Sequence, residues 1–194
     1  MRIGGFQPLT LSDYPGHTAC VIYTAGCNFR CAYCHNPNLI HPDRYPPHYP
    51  QEKIFTELVS RRDFLEGAVL CGGEPTMHHA LPEFAGRIKD LGFKIKLDTN
   101  GTNPAMLKNM LADGLLDYVA MDIKAPFEKY ALVAGVEMDF SCVEQSFNLL
   151  CSAGVTVEFR TTKNAALSDA DIAAIRAKIG GRCRFTVQEQ ARSS

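Results

Sequence analysis

Three cysteines, Cys27, Cys31 and Cys34, stand in the run GCNFRCAYCHNP with the spacing C-x3-C-x2-C. Three thiolates so spaced hold three corners of a cubane iron–sulfur cluster, and no fourth cysteine lies nearby in sequence. An iron left without a protein ligand binds a small molecule and hands it an electron, whereas a cluster held by four cysteines mainly transfers electrons. The spacing therefore points to an enzyme. Two other readings stay open. A structural zinc site would take His35 as its fourth ligand, although adjacent residues rarely both reach one tetrahedral metal. A disulfide would leave one thiol over and implies secretion, for which no signal peptide is seen.

Further polar residues cluster in short motifs. Gly72, Gly73 and Glu74 begin GGEP, an ordinary turn unless a ligand is near; two glycines let a backbone approach one closely. Asp98, Thr99 and Asn100 begin DTNG, which suits a turn. An aspartate there could instead hold ligand hydroxyls or a cation. Asp122 and Lys124 alternate, so on a strand their side chains point the same way, as an ion pair or toward a charged ligand. Arg160 offers a permanently charged fork that fits a carboxylate, or an ion pair within the fold. His35, His78 and His79 are assigned no role in chemistry, and the two latter are expected to begin a helix.

The elements that must carry these motifs alternate strand and helix, as in a parallel α/β fold. Strands are expected at Thr18 to Thr24, Ala68 to Cys71, Phe93 to Leu97, Leu116 to Met121, Val155 to Phe159 and Cys183 to Val187. The first is followed by a Pro-rich loop and a helix from about Gln51 to Arg62. Phe84, Ile88 and Leu91 mark a helix that stops at Gly92. Asn103 caps a helix with Pro104 in its first turn, and Gly114 ends it. Ser141 and Glu144 are expected to form a capping box, and Ser168 caps a last helix through Ile179. Six strands are too few for a closed eight-stranded barrel of about 250 residues. A partial (βα)6 TIM-like barrel fits the length, with the last helix short or absent, and a doubly wound sheet is the alternative. Every motif then falls at the C-terminal end of a strand: the cysteine run after the first, GGEP after the second, DTNG after the third, Asp122 and Lys124 after the fourth. Arg160 ends the fifth and Gln188 the sixth. Ligands of parallel α/β folds bind at that rim.

CNFRCAYC, with Tyr33 before the last cysteine, resembles the cluster motif of the radical S-adenosylmethionine (SAM) superfamily. LSDYPGH before it and CHNP after it are similar to glycyl-radical-enzyme activating proteins, most closely to those that activate anaerobic ribonucleoside-triphosphate reductase. The resemblance covers the chain from its first residues to the sixth strand. It implies one 4Fe–4S cluster on Cys27, Cys31 and Cys34 and SAM as cofactor. The GGEP loop would bind the SAM amino group, Tyr33 would lie against adenine, and Arg160 near the methionine moiety. Asp98, Thr99 and Asp122 match residues that help bind a monovalent cation. The chemistry implied is reductive cleavage of SAM to a 5′-deoxyadenosyl radical that takes a hydrogen atom from a glycine Cα of the partner, with flavodoxin or ferredoxin as electron donor. No general acid or base is needed. The chain departs from the pattern after the sixth strand, where Gln188, Glu189 and Gln190 replace a cofactor-contacting histidine. Radical SAM chemistry on a peptide or small molecule, or a non-catalytic metal-binding scaffold, are the other readings.

At 194 residues the chain is expected to be one radical SAM domain, 1–194. A formal net charge of −1 with signs interspersed gives no electrostatic case for nucleic acid or an anionic membrane. No apolar run approaches the roughly 18 to 20 residues that span a bilayer. Cys20, Cys71, Cys142, Cys151 and Cys183 are scattered among apolar neighbours and read as small buried hydrophobes, so a reducing cytoplasm is expected. With only seven residues after Val187 there is little chain for a lid, which favours a macromolecular substrate.

Overall fold

A computed structural model describes residues 1–181 and 183–190. Seven strands form one sheet in chain order, β1 to β7. They are β1 (Ile3–Thr10), β2 (Ala19–Thr24), β3 (Gly67–Gly72), β4 (Lys94–Thr99), β5 (Tyr118–Asp122), β6 (Thr156–Lys163) and β7 (Arg184–Glu189). Strands β2 to β7 are parallel, each next to its predecessor, and helices cross over between them as parallel pairing requires. The expected partial barrel of six parallel strands is present, and β1 adds a seventh, antiparallel to β2. The expectation missed β1. Its sequence IGGFQPLT carries two glycines and a proline, and its pairing slips twice, between Ile3 and Gly5 and between Gln7 and Thr10.

The helices are α1 (Gln51–Ser60), α2 (Leu81–Asp90), α3 (Pro104–Ala112), α4 (Tyr130–Ala134), α5 (Ser141–Cys151) and α6 (Asp169–Ile179). Asn103 caps α3 by accepting from the Met106 amide at 3.1 Å. Ser168 and Asp171 form a reciprocal capping box on α6. The capping box expected of Ser141 and Glu144 does not form. Ser141 is the first residue inside α5, and both its amide and its hydroxyl donate to Asp139. His78 and His79 lie before α2, not in it. Any helix after β7 would fall on residues 191–194, outside the described residues. Among the described residues no helix is long and apolar enough to cross a membrane.

The outer face of the sheet and the helices form the larger core, including Ile22, Leu70, Leu97, Val119 and Phe159 against Ile54, Ile88, Leu107, Phe147 and Ile175. Alternation along the strands turns the intervening residues inward. At the N-terminal end of the parallel strands these close into a small apolar plug of Tyr14, Ala19, Val21, Val69, Tyr118 and Ala120. Tyr14, from LSDYPGH, packs edge-on against Tyr118 with ring centroids 5.9 Å apart. That motif seals the bottom of the half-barrel and leaves the other end open for chemistry.

Candidate functional site

A cavity of about 410 Å³ opens at the C-terminal rim. Cys27, Cys31, Tyr33 and Cys34 line it from the loop after β2. Gly72, Gly73 and Glu74 line it from β3, Asp98, Thr99 and Asn100 from β4, Asp122 and Lys124 from β5, and Arg160 from β6. All the candidate residues named from sequence thus meet in one place. Arg160 sits differently from expectation: β6 continues past it to Lys163, so it lies inside the strand rather than at its end.

The cysteine loop is held from three sides. Phe29 is 1 % exposed and packs edge-on against Tyr130 and Phe140. The Arg30 amide donates to the Ala134 carbonyl at 2.7 Å, and the Arg30 guanidinium donates to the Cys27 and Phe29 carbonyls. Asn28 accepts from Asn100 Nδ2 and donates to Thr102 Oγ1, both at 2.8 Å. Asn100, from DTNG, lines the cavity, and its side chain also secures the cysteine loop. The contacts of Asn28, of Phe29 and of the Arg30 amide went unnoticed because those partners are far along the chain.

The GGEP turn is shaped by close backbone approach. The Gly73 amide donates to Thr24 O at 2.8 Å and the Glu74 amide to Gly26 O at 2.7 Å. A Cβ on Gly73 would stand 2.0 Å from Gly26 O, and one on Gly72, at φ +111°, 2.5 Å from Thr24 N. Glu74 is 1 % exposed. Its Oε1 accepts from the Thr76 amide and hydroxyl and from Thr99 Oγ1 at 2.7 Å, and its Oε2 from the Asn100 amide at 2.6 Å. Burial pushes its carboxyl up, opposed by these donors. Glu74 ties the tips of β3 and β4 together.

Charged side chains form an alternating ladder across the inner wall. Lys96, whose side chain is 3 % exposed, pairs with Asp98 Oδ1. Arg160 Nη1 donates to Asp98 Oδ2 and Arg160 Nε to Asp122 Oδ1, each at 2.9 Å. Lys124 Nζ donates to Asp122 Oδ2 at 2.8 Å. Burial opposes the charge on Asp122, but Arg160 and Lys124 outweigh it and hold the carboxyl well below the usual carboxylate range. Lys124 and Arg160 are likewise held charged against burial, Lys124 by Asp122 first and Arg160 by Asp122 and Asp98.

These residues fit an iron–sulfur cluster with a ligand beside it. Thiolates are the ligands such clusters take. Backbone amides already address two of the sulfurs: Phe29 N–H donates to Cys27 Sγ and Asn36 N–H to Cys34 Sγ, both at 3.4 Å. Burial pushes the Cys27 thiol up to about 12, and the Cys31 thiol up as well, so the thiolates need positive charge, which iron supplies. Among the described residues no group of three Cys, His, Asp or Glu side chains is placed to hold a single metal ion. A zinc ion needs such convergence; in a cluster each thiolate takes its own iron. Among the described residues Tyr33 Oη is buried without a hydrogen-bond partner, and its ring centroid is 5.9 Å from Lys124 Nζ. A bound polar ligand would relieve that vacancy in hydrogen bonding. The monovalent cation fits poorly, because all four oxygens of Asp98 and Asp122 already accept from cationic side chains.

Residues passed over also reach the cavity. His35 lines it, as do Asp13 from LSDYPGH, Tyr23 and Cys71 on neighbouring strands, and Thr162 beside Gln188 on β6 and β7. Gln188 stands where the resemblance expects a histidine. Inward alternation on β2, β3 and β6 is the signal that would have identified Tyr23, Cys71 and Thr162.

Comparison with known proteins agrees with this geometry. The model of the radical SAM superfamily matches residues 21–176. A protein of Methanocaldococcus jannaschii named as a glycyl-radical enzyme activating enzyme is 35 % identical over 167 residues, covering 82 % of this chain and 67 % of the relative. A 7-carboxy-7-deazaguanine synthase of Methanopyrus kandleri is 29 % identical over 132 residues, covering 58 % of this chain and 52 % of that protein. Streptococcus suis SuiB, solved bound to S-adenosylmethionine, shares the fold with a TM-score of 0.69 at 15 % identity, over 90 % of this chain and 41 % of its own. The chain thus spans about two thirds, half and two fifths of these three proteins.

Proposed function

The chain belongs to the radical SAM superfamily and is an enzyme of that family, and from this we propose that it installs a glycyl radical on a partner enzyme, the anaerobic ribonucleoside-triphosphate reductase. Cys27, Cys31 and Cys34 would hold one 4Fe–4S cluster; Tyr33, the GGEP loop, Asp122, Lys124 and Arg160 would hold SAM. When bound, the two supply reductive cleavage of SAM to a 5′-deoxyadenosyl radical, which takes a hydrogen atom from a glycine Cα of the partner. The chain's own part is placement. Glu74 fixes the loop that faces the cofactor, the charge ladder orients a zwitterionic ligand, and the Tyr14 plug closes the bottom of the half-barrel to water. In this reading residues 1–194 act as one domain in the cytoplasm, and a flavodoxin or ferredoxin supplies the electron. The resemblance also implies a monovalent cation at Asp98, Thr99 and Asp122; in this chain a guanidinium already lies between the two aspartates.

The observation that carries the proposal is the meeting of the three thiols and the charge ladder in one cavity at the C-terminal rim. A glycyl radical enzyme as partner is supported by the LSDYPGH and CHNP runs and by the name of the M. jannaschii relative; the reductase in particular is supported by the resemblance alone. The test is to incubate reduced, cluster-loaded protein with SAM and the reductase from the same organism without oxygen. A doublet electron-paramagnetic-resonance signal on the reductase is expected, with 5′-deoxyadenosine in proportion and chain cleavage at that glycine on exposure to air. SAM cleavage with no radical on the reductase would instead favour a small-molecule substrate, the reading that the similarity to a 7-carboxy-7-deazaguanine synthase supports. No cleavage by a fully reduced cluster would defeat both.

A further inference from the structure

We infer that the Arg160 guanidinium is the resident cation of this cavity: it occupies the place between Asp98 and Asp122 that a monovalent metal ion would take, so the enzyme binds its cofactor without sodium or potassium. The two carboxylates come from strands β4 and β5, and Arg160 lies on β6 directly across from Asp122 in the strand register. Its Nε and Nη1 reach one oxygen of each carboxylate at 2.9 Å. The two remaining oxygens accept from Lys96 and Lys124. Every carboxylate oxygen thus already has a cationic donor, with which a metal that needs oxygen ligands would have to compete.

Charge leads to the same result. Arg160 sits between the two carboxylates in a wall that is mostly removed from water. A metal ion there would lie next to a guanidinium that cannot lose its proton. It would also have to displace hydrogen-bond donors whose charge-assisted bonds are the strong kind. The bonds to Asp122 and Asp98 use Nε and Nη1 of Arg160, and a guanidinium has five N–H donors, so the same fork can still offer one to a ligand carboxylate. A tethered cation differs from a metal in one respect that experiment can read: its occupancy does not depend on the salt in solution.

The inference rests on the radical SAM reading for its meaning, but sodium binding tests it without cofactor. Sodium-23 relaxation is measured on the cluster-loaded wild-type protein, with choline chloride holding ionic strength constant. No saturable sodium signal is expected, and the SAM affinity found by calorimetry should be the same in choline, sodium and potassium. Saturable sodium binding, or SAM affinity that rises saturably with sodium or potassium, overturns the inference. In Arg160→Met, SAM affinity in choline should fall roughly ten- to a hundredfold, the cost of lost charge-assisted contacts. Sodium or potassium should then restore part of it, and a sodium signal should appear. A folded Arg160→Met protein that takes up no cation would also overturn it. If that variant does not fold, the wild-type measurements decide alone. Wild-type protein that binds no SAM in any salt would contradict the reading of the cavity instead, and the sodium measurement would still stand.

Discussion

Gly73 and Gly26 approach so closely that no side chain fits between them: a Cβ on Gly73 would lie 2.0 Å from the Gly26 carbonyl oxygen. The neighbouring Glu74 amide donates to that same oxygen at 2.7 Å. The turn after β3 is thereby pressed onto the first residue of the cysteine motif. Gly73→Ala is expected to push the two loops apart. The protein should still fold, because the contact lies at the rim and not in the core, but reconstituted iron per chain and SAM affinity should both fall. Unchanged iron content and affinity in Gly73→Ala would show that the contact is dispensable.

The thiols can be separated by substitution. Cys27→Ala, Cys31→Ala and Cys34→Ala should each lose the visible absorption of the cluster and all SAM cleavage. Cys142→Ala and Cys151→Ala, on α5, should keep both, since neither lines the cavity. Iron analysis after anaerobic reconstitution checks this; equal iron loss in Cys142→Ala and Cys31→Ala would refute the ligand assignment.

Asp122→Ala and Lys124→Ala remove adjoining rungs of the ladder while leaving the thiols in place. The cluster should still form. SAM should bind more weakly by about 1.5 to 3 kcal/mol, or roughly ten- to a hundredfold, as for other charge-assisted contacts. Calorimetry on the reconstituted proteins reads this directly, and wild-type affinity in both variants would take the β5 tip out of the cofactor site.

Asp171 supplies a pH signature away from the cavity. The Lys129 ammonium and the Ser168 hydroxyl and amide hold its carboxyl down to about 2. A lowered folded-state value means the stabilisation is fully present above the unfolded value of about 3.9 and is lost as pH falls through the folded one. Wild type should therefore melt above Asp171→Asn at neutral pH, by a constant margin down to about pH 4, and the margin should close toward pH 2. A margin that widens in acid would reverse the sign.

How much of this was legible in the sequence follows from the range of each interaction. The thiols, the strand tips and the caps at Asn103 and Ser168 could be read because spacing and local propensity determine them. Strand β1 could not, since its glycines and proline hide a strand that only pairing with β2 stabilises. The α5 cap was misread because Asp139 competes for Ser141. The ladder was half legible. Asp122 and Lys124 are two residues apart, but Arg160 meets Asp98 across 62 residues, and no local pattern reveals which carboxylates a fork will bridge. The bond from the Asn100 side chain to Asn28 was equally hidden, since it is a contact across 72 residues.

The backing of the cysteine loop also has a meaning in time. Cys31 Sγ lies 3.8 Å from the Ala134 carbonyl, 103 residues further along the chain, and that carbonyl also receives the Arg30 amide. At about 5 to 20 residues per second, ribosomal synthesis exposes the thiols roughly 5 to 20 seconds before α4 emerges to support them. During that interval the nascent chain carries three thiols on an unsupported loop, open to oxidation and to stray metal. The loop that carries the three thiols therefore gains this support only after β5 and α4 have left the ribosome.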